Sequence, residues 1–216
     1  MLTELRRYSI LPGKMDLMHE RMHAMLLPMF RDQSIPTPRA IWENREETSI
    51  FSWIIDWPDF EANQAGWRRI APIFAAARRA EGTPEIVTRT TLTLIAPWAG
   101  ADIGFAPGAA CETAWHVQPR IGFGAGFVAA CQSDVFDIFR AAGASAVNAC
   151  NFIFGPLPQA MVMLSWPDEQ TRSAGMAQIA AMAMPPEIAA ALLGEGARFG
   201  ERGQWEALDR ANYLPD

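Results

Sequence analysis

The chain has 216 residues, half of them apolar and 19% charged, which allows a sizeable core in one domain or two small ones and excludes a disordered chain. A net charge of −6 with scattered arginines speaks against a nucleic-acid surface, which needs clustered cations. No apolar run approaches the roughly 18 residues that span a bilayer, no secretory stretch opens the sequence, and Cys111, Cys131 and Cys150 give neither a disulfide framework nor metal-site spacing. A reduced, cytoplasmic protein is expected.

The elements follow in order. Residues 2 to 11 alternate as a strand and stop at Pro12-Gly13. Residues 14 to 31 carry Met15, Met18, Met22, Met25 and Met29 at helical spacing, with Leu26 and Phe30 widening the stripe and Pro28 expected to kink or end the last turn. Strands are predicted at 39–45 and 49–57, joined by the polar turn Glu46-Glu47-Thr48. Pro58 ends the second of these and Asp59 is placed to cap a helix running to about Ala80. Gly82-Thr83-Pro84 breaks that helix, and a threonine-rich strand fills 86–95. The order β-α-β-β-α-β is the ferredoxin-like split motif.

After a Gly/Ala/Pro-rich linker at 97–110 the same order recurs. Strands are expected at 111–119, 147–154 and 159–166, helices near 127–142 and from Asp168, and a final strand at 204–211. Trp57-Pro58-Asp59 with Ala65-Gly66 is written again as Trp166-Pro167-Asp168 with Ala174-Gly175, an offset of 109 residues (57 to 166). Gly13 and Gly122, and Phe30-Arg31 and Phe139-Arg140, keep that offset without gaps. Such self-similarity marks a duplicated unit, here the size of a small domain. The predicted domains are a first half at 1–96, the linker, and a second half at 111–216 with an extra helical segment at 185–203. Both faces of the 49–57 strand are apolar, Phe51, Trp53, Ile55 and Trp57 on one and Ile50 and Ile54 on the other, so the sheet needs two covers. The expected fold class is α+β: two ferredoxin-like halves packed sheet to sheet as an intramolecular α/β barrel. One chain suffices for such a barrel, and further homodimerisation stays open.

Glu4-Leu-Arg-Arg-Tyr-Ser-Ile-Leu-Pro-Gly-Lys14 resembles the opening of NIPSNAP-type domains, a Glu-Leu-Arg-x-Tyr strand followed by a Pro-Gly-Lys turn. With the element order, the chain looks like a tandem member of the dimeric α/β-barrel superfamily. The motif covers the first half alone, since the second reads Thr113-Ala-Trp-His-Val-Gln instead. The resemblance implies a ferredoxin-like barrel and no single reaction; the superfamily includes cofactor-free monooxygenases, haem-degrading enzymes and isomerases.

Candidate chemistry concentrates in the first half. His19 sits just inside the apolar edge of the first helix, away from Asp16 and Glu20, where a neutral ring could act as a base. His23 lies at the border of the same face. Their i, i+4 spacing lacks the H-E-x-x-H pattern, so no metal is expected. Trp42 and Asn44 share a strand face, and with Trp53 across the hairpin they would form an aromatic wall bearing one amide. Glu4, Arg6 and Tyr8 alternate onto one face of the first strand as a charge-assisted network or an anion-binding wall. His116 marks the second half. The run Arg120 to Phe127 fails the dinucleotide fingerprint at its last glycine. The leading expectation is a small-molecule enzyme with neither metal nor nucleotide, acting on an apolar aromatic or carbonyl-bearing compound in monooxygenase-like chemistry with His19 as base. A non-catalytic ligand-binding or interaction protein is the alternative, and haem binding through a histidine is the third.

Overall fold

The computed structural model describes residues 1–44, 49–82, 84–99, 109–154, 159–193 and 196–214. The first half comprises β1 (Leu2–Ile10), α1 (Met15–Arg21), a π-helical turn (Met22–Leu26), α2 (Leu27–Asp32), β2 (Ala40–Asn44), β3 (Ile50–Trp57), α3 (Phe60–Glu81) and β4 (Val87–Pro97). The second repeats the order with β5 (Cys111–Val117), α4 (Gly124–Ala130), a π turn (Cys131–Val135), α5 (Phe136–Ala141), β6 (Ala146–Phe152), β7 (Ala160–Trp166), α6 (Glu169–Ala181), α7 (Pro186–Ala191) and β8 (Gln204–Arg210). The eight strands hydrogen-bond in the order β1-β3-β2-β8-β5-β7-β6-β4 as one closed barrel within a single chain. By contacts the chain divides into two compact units, 1–94 with 211–216, and 95–210. The expected turn at 46–48 and most of the linker lie outside the described residues.

The duplicated Trp-Pro-Asp has a physical reason. Asp59 accepts a hydrogen bond from the Ala62 amide at 2.8 Å, and Asp168 accepts one from the Thr171 amide at 2.7 Å. Each therefore satisfies one of the orphan donors of a helix start. The tryptophan then folds onto the helix it has launched. A Cβ on Gly66 would lie 2.6 Å from the Trp57 ring, and one on Gly175 would lie 2.5 Å from the Trp166 ring and 2.5 Å from the Ala142 carbonyl oxygen. Only glycine lets ring and helix approach this closely.

The first helical region departs from the expected stripe at two of its methionines. Met15, Met18, Met22, Leu26 and Phe30 are buried, whereas Met25 and Met29 are half-exposed. The π turn accounts for the change, because its extra residue shifts the phase of everything after it. Pro28 does not end the helix. It stands in the first turn of α2, where a missing amide proton is tolerated. The matching π turn in the second half has Asp137 at the position of Pro28, so the proline accompanies the π turn and does not cause it.

Substitution of either glycine tests the packing. Alanine gains about 1 kcal/mol of helix propensity, but overpacking costs about 1–3 kcal/mol. Gly175→Ala should lower the denaturation midpoint more than Gly66→Ala, because one atom it meets is backbone and cannot turn aside. Urea titration followed by circular dichroism reads both.

Candidate functional site

Pairing sets the faces of the first-half sheet. Arg6 lies opposite Trp53 and Glu4 opposite Ile55 across β1 and β3, so Glu4, Arg6, Tyr8, Phe51, Trp53 and Trp57 share one face. Asn63 and Trp67, four apart on α3, present their polar atoms to that face. The Glu4 carboxylate is fully buried and accepts from Asn63 Nδ2, from Trp67 Nε1 at 3.0 Å and from Arg6 Nε. The Arg6 guanidinium lies 3.7 Å above the Trp67 ring and 5.7 Å from that of Trp53, within cation–π range. Burial alone would lower its pKa, yet Tyr8 and Glu4 outweigh that and hold it above the ordinary arginine value.

Beside this network lies a cavity of about 420 Å³, within the roughly 300–1,000 Å³ of small-molecule sites. Met18, Leu26, Phe30, Trp53, Trp67, Ile70 and Phe74 supply an apolar wall, and Arg6, Tyr8, Arg21 and Glu85 the polar points. Against partial burial, the Glu85 carboxyl is held below its usual range by the amides of Val87 and Ile86 and by Arg78.

The equivalent space in the second half is filled. At the 109-residue offset Trp115 replaces Arg6 and Val117 replaces Tyr8. The Trp115 ring stacks on Trp205 at 5.2 Å and packs edge-on against Phe199 at 5.5 Å and Phe139 at 6.1 Å. Phe199 comes from the segment that the first half lacks. A separate cleft of about 420 Å³ does occur in the second half, lined by Gly124, Val128, Asn151, Phe152, Gln159 and Ala160. By strand register its walls correspond to Met15, His19, Glu43, Asn44, Ile50 and Phe51, not to the first-half cavity.

His19 occupies that corresponding place in the first half. Its Nδ1 is 3.0 Å from the Tyr213 hydroxyl and its Nε2 is 3.2 Å from a Glu43 carboxylate oxygen. Its ring packs edge-on against Phe51 at 5.1 Å. A carboxylate beside Nε2 favours the tautomer with its proton on that nitrogen, which leaves Nδ1 to accept from the Tyr213 hydroxyl. Burial, then Glu43, pushes the Tyr213 phenol well above its ordinary range. The picture of a ring with no nearby acid is corrected: Glu43 reaches it from β2. His23 is exposed, its ring 5.4 Å from that of Tyr213.

Of the sequence candidates, Arg6, Tyr8 and Trp53 meet at the cavity, while His19 and His23 lie outside its lining. Trp42 and Asn44 do not join Trp53 in a wall. Trp42 pairs with Ser52 and Asn44 with Ile50, whereas Trp53 pairs with Ile41, so the two sets face opposite sides of the sheet. His116 sits on the second-half sheet, on the face opposite Trp115, with Nε2 3.1 Å from Glu206. Sequence reasoning missed Asn63, Trp67, Arg21, Glu85 and Tyr213. Trp67 was legible in principle, being a tryptophan one helical turn beyond Asn63; Tyr213 lies after the last repeated strand and gave no signal. No group of three or more metal-ligating side chains gathers among the described residues, and no helix there is long and apolar enough to cross a membrane. A haem ligated by histidine does not fit the cavity, since no described histidine lines it.

No protein-family model matches the sequence, and neither does any curated protein. Solved structures do match the fold. A candidate monooxygenase from Lactobacillus acidophilus aligns over 97% of this chain and 93% of its own at 9% identity and a TM-score of 0.57. An anthrone oxidase-like protein aligns over 98% and 91% at 15% identity and 0.59. A NIPSNAP domain protein from Burkholderia xenovorans matches 47% of this chain over 99% of its own, at 19% identity and 0.40. The first two are likenesses of fold alone, and with them the expected ferredoxin-like α/β barrel stands.

The tautomer is open to measurement. Long-range nitrogen–proton spectra should show His19 protonated at Nε2, and Glu43→Gln should shift the population toward Nδ1–H. A ring already protonated at Nδ1 alone in the wild type would contradict the reading.

Proposed function

We propose that the protein is a small-molecule enzyme whose substrate, a flat aromatic or carbonyl-bearing compound, lies in the first-half cavity and reacts without metal or nucleotide. The observation that carries this reading is the asymmetry of the duplication. One half fills the space between its sheet and helices with Trp115 and Phe199, and the other leaves about 420 Å³ open there. Close packing is the rule in protein interiors, so a retained cavity with aromatic walls and few polar points fits a ligand.

Arg6 and Tyr8 are placed to meet a substrate oxygen. A fixed cation in a dry site stabilises an enolate or phenolate as it forms, and such electron-rich anions are what cofactor-free oxygen chemistry needs. The monooxygenase and anthrone oxidase-like descriptions of the fold neighbours support that direction by analogy of fold. His19, backed by Glu43, is the base in this proposal, which requires the substrate to extend from the cavity past Phe51 to reach that ring.

A second reading, a non-catalytic carrier, is favoured by one observation. His19 packs on Phe51, and neither ring lines the cavity. Oxygen uptake with a panel of hydroxylated polycyclic aromatics, alongside quenching of tryptophan fluorescence, separates the two. Turnover that falls roughly 10²–10⁴-fold in His19→Gln, the range for losing a general base, supports the enzyme. Quenching without oxygen uptake supports the carrier. Ala71→Phe, which adds bulk at the rim of the cavity, should weaken binding about tenfold or more; unchanged affinity would place the ligand elsewhere.

A further inference from the structure

The polar points of the first-half cavity have a sign. Both guanidinium groups are deep, the Arg21 side chain 1% exposed and that of Arg6 16%. Glu85, the carboxylate among the described lining residues, sits at the mouth with its side chain 60% exposed. Its oxygens already accept from the amides of Ile86 and Val87 at 2.8 and 2.9 Å and from Arg78 at 3.1 Å, and Arg21 approaches it at 3.6 Å. Glu4, behind the wall, serves Arg6. Two arginines and one carboxylate thus line a chamber, with Glu4 and Arg78 paired to them from outside it, within a chain of net charge −6. Inside the chamber the cations are the buried members and the acid is the wet one.

Resting on the reading that this cavity is the ligand site, we infer that its ligand is an aromatic acid, a flat ring bearing a single carboxylate directed at Arg21 and Tyr8. A carboxylate matches the planar fork of a guanidinium, and an ion pair formed out of water is stronger than one at the surface. The ring takes the aromatic wall of Phe30, Trp53 and Trp67. A phosphate ester is disfavoured, because its second charge would need more cations than the lining provides.

The test titrates the full chain at neutral pH with 2-naphthoate and with its neutral isostere 2-naphthamide, read by tryptophan fluorescence. Naphthoate should bind about tenfold tighter or more, the advantage of a charge-assisted hydrogen bond over a neutral one. Arg21→Met should cut that ratio below about threefold by weakening naphthoate more than naphthamide, and Arg21→Lys should keep part of it. Equal affinities in the wild type overturn the inference and leave the cavity reading intact. Failure of both probes to bind at millimolar concentration overturns the two together. A preference that survives Arg21→Met overturns the assignment to Arg21. The wild-type comparison decides the ligand class even where the Met variant folds poorly.

Discussion

A buried carboxylate is the constraint around which the first half is built. Glu4 has no contact with water, and an uncompensated charge in that position would cost several kcal/mol. Asn63 and Trp67 from α3 and Arg6 from its own strand supply the compensation. The same donors fix α3 over the sheet, seat Arg6 on the Trp67 ring and leave the cavity beside them. Where the second half has Thr113 in place of Glu4, the hydroxyl accepts from Trp166 Nε1 at 3.0 Å, no charge needs support, and Trp115 closes the space.

The duplication therefore separates what the scaffold requires from what one half has made of it. The Trp-Pro-Asp turn, the glycine under the tryptophan and the π turn in the first helical region recur in both halves and serve packing. Arg6, Tyr8, Trp53 and Trp67 do not recur. Counterparts in the second half are Trp115, Val117, Val162 and Met176. Each half fills one of two spaces on its helical side and opens the other: His19, Glu43 and Tyr213 occupy in the first the region that is a cleft in the second.

Much of the architecture was legible because it rests on periodicity and repetition. The order of the elements, the capping aspartates and the equivalence of the halves all follow from local patterns read twice. The site was less legible because it depends on pairing. Alternation along β2 could not say which residues of β3 it would face, and the observed register sends Trp42 and Trp53 to opposite sides. The partner of His19 comes from a strand more than twenty residues away, and Tyr213 from beyond the repeat; neither could be inferred from the helix alone. The π turn narrowed the expected stripe to its Leu26 and Phe30 side and left Met25 and Met29 half-exposed, a phase change that sequence spacing alone does not reveal.

The central claim is that the open, ligand-sized space belongs to the first half and its equivalent in the second is packed shut. Crystals of the protein pressurised with xenon test it most directly, since xenon enters apolar cavities and its anomalous scattering marks them. The account predicts a peak among Phe30, Trp53 and Trp67 and none among Trp115, Phe139 and Phe199. A peak in the second group, or none in the first, would contradict it.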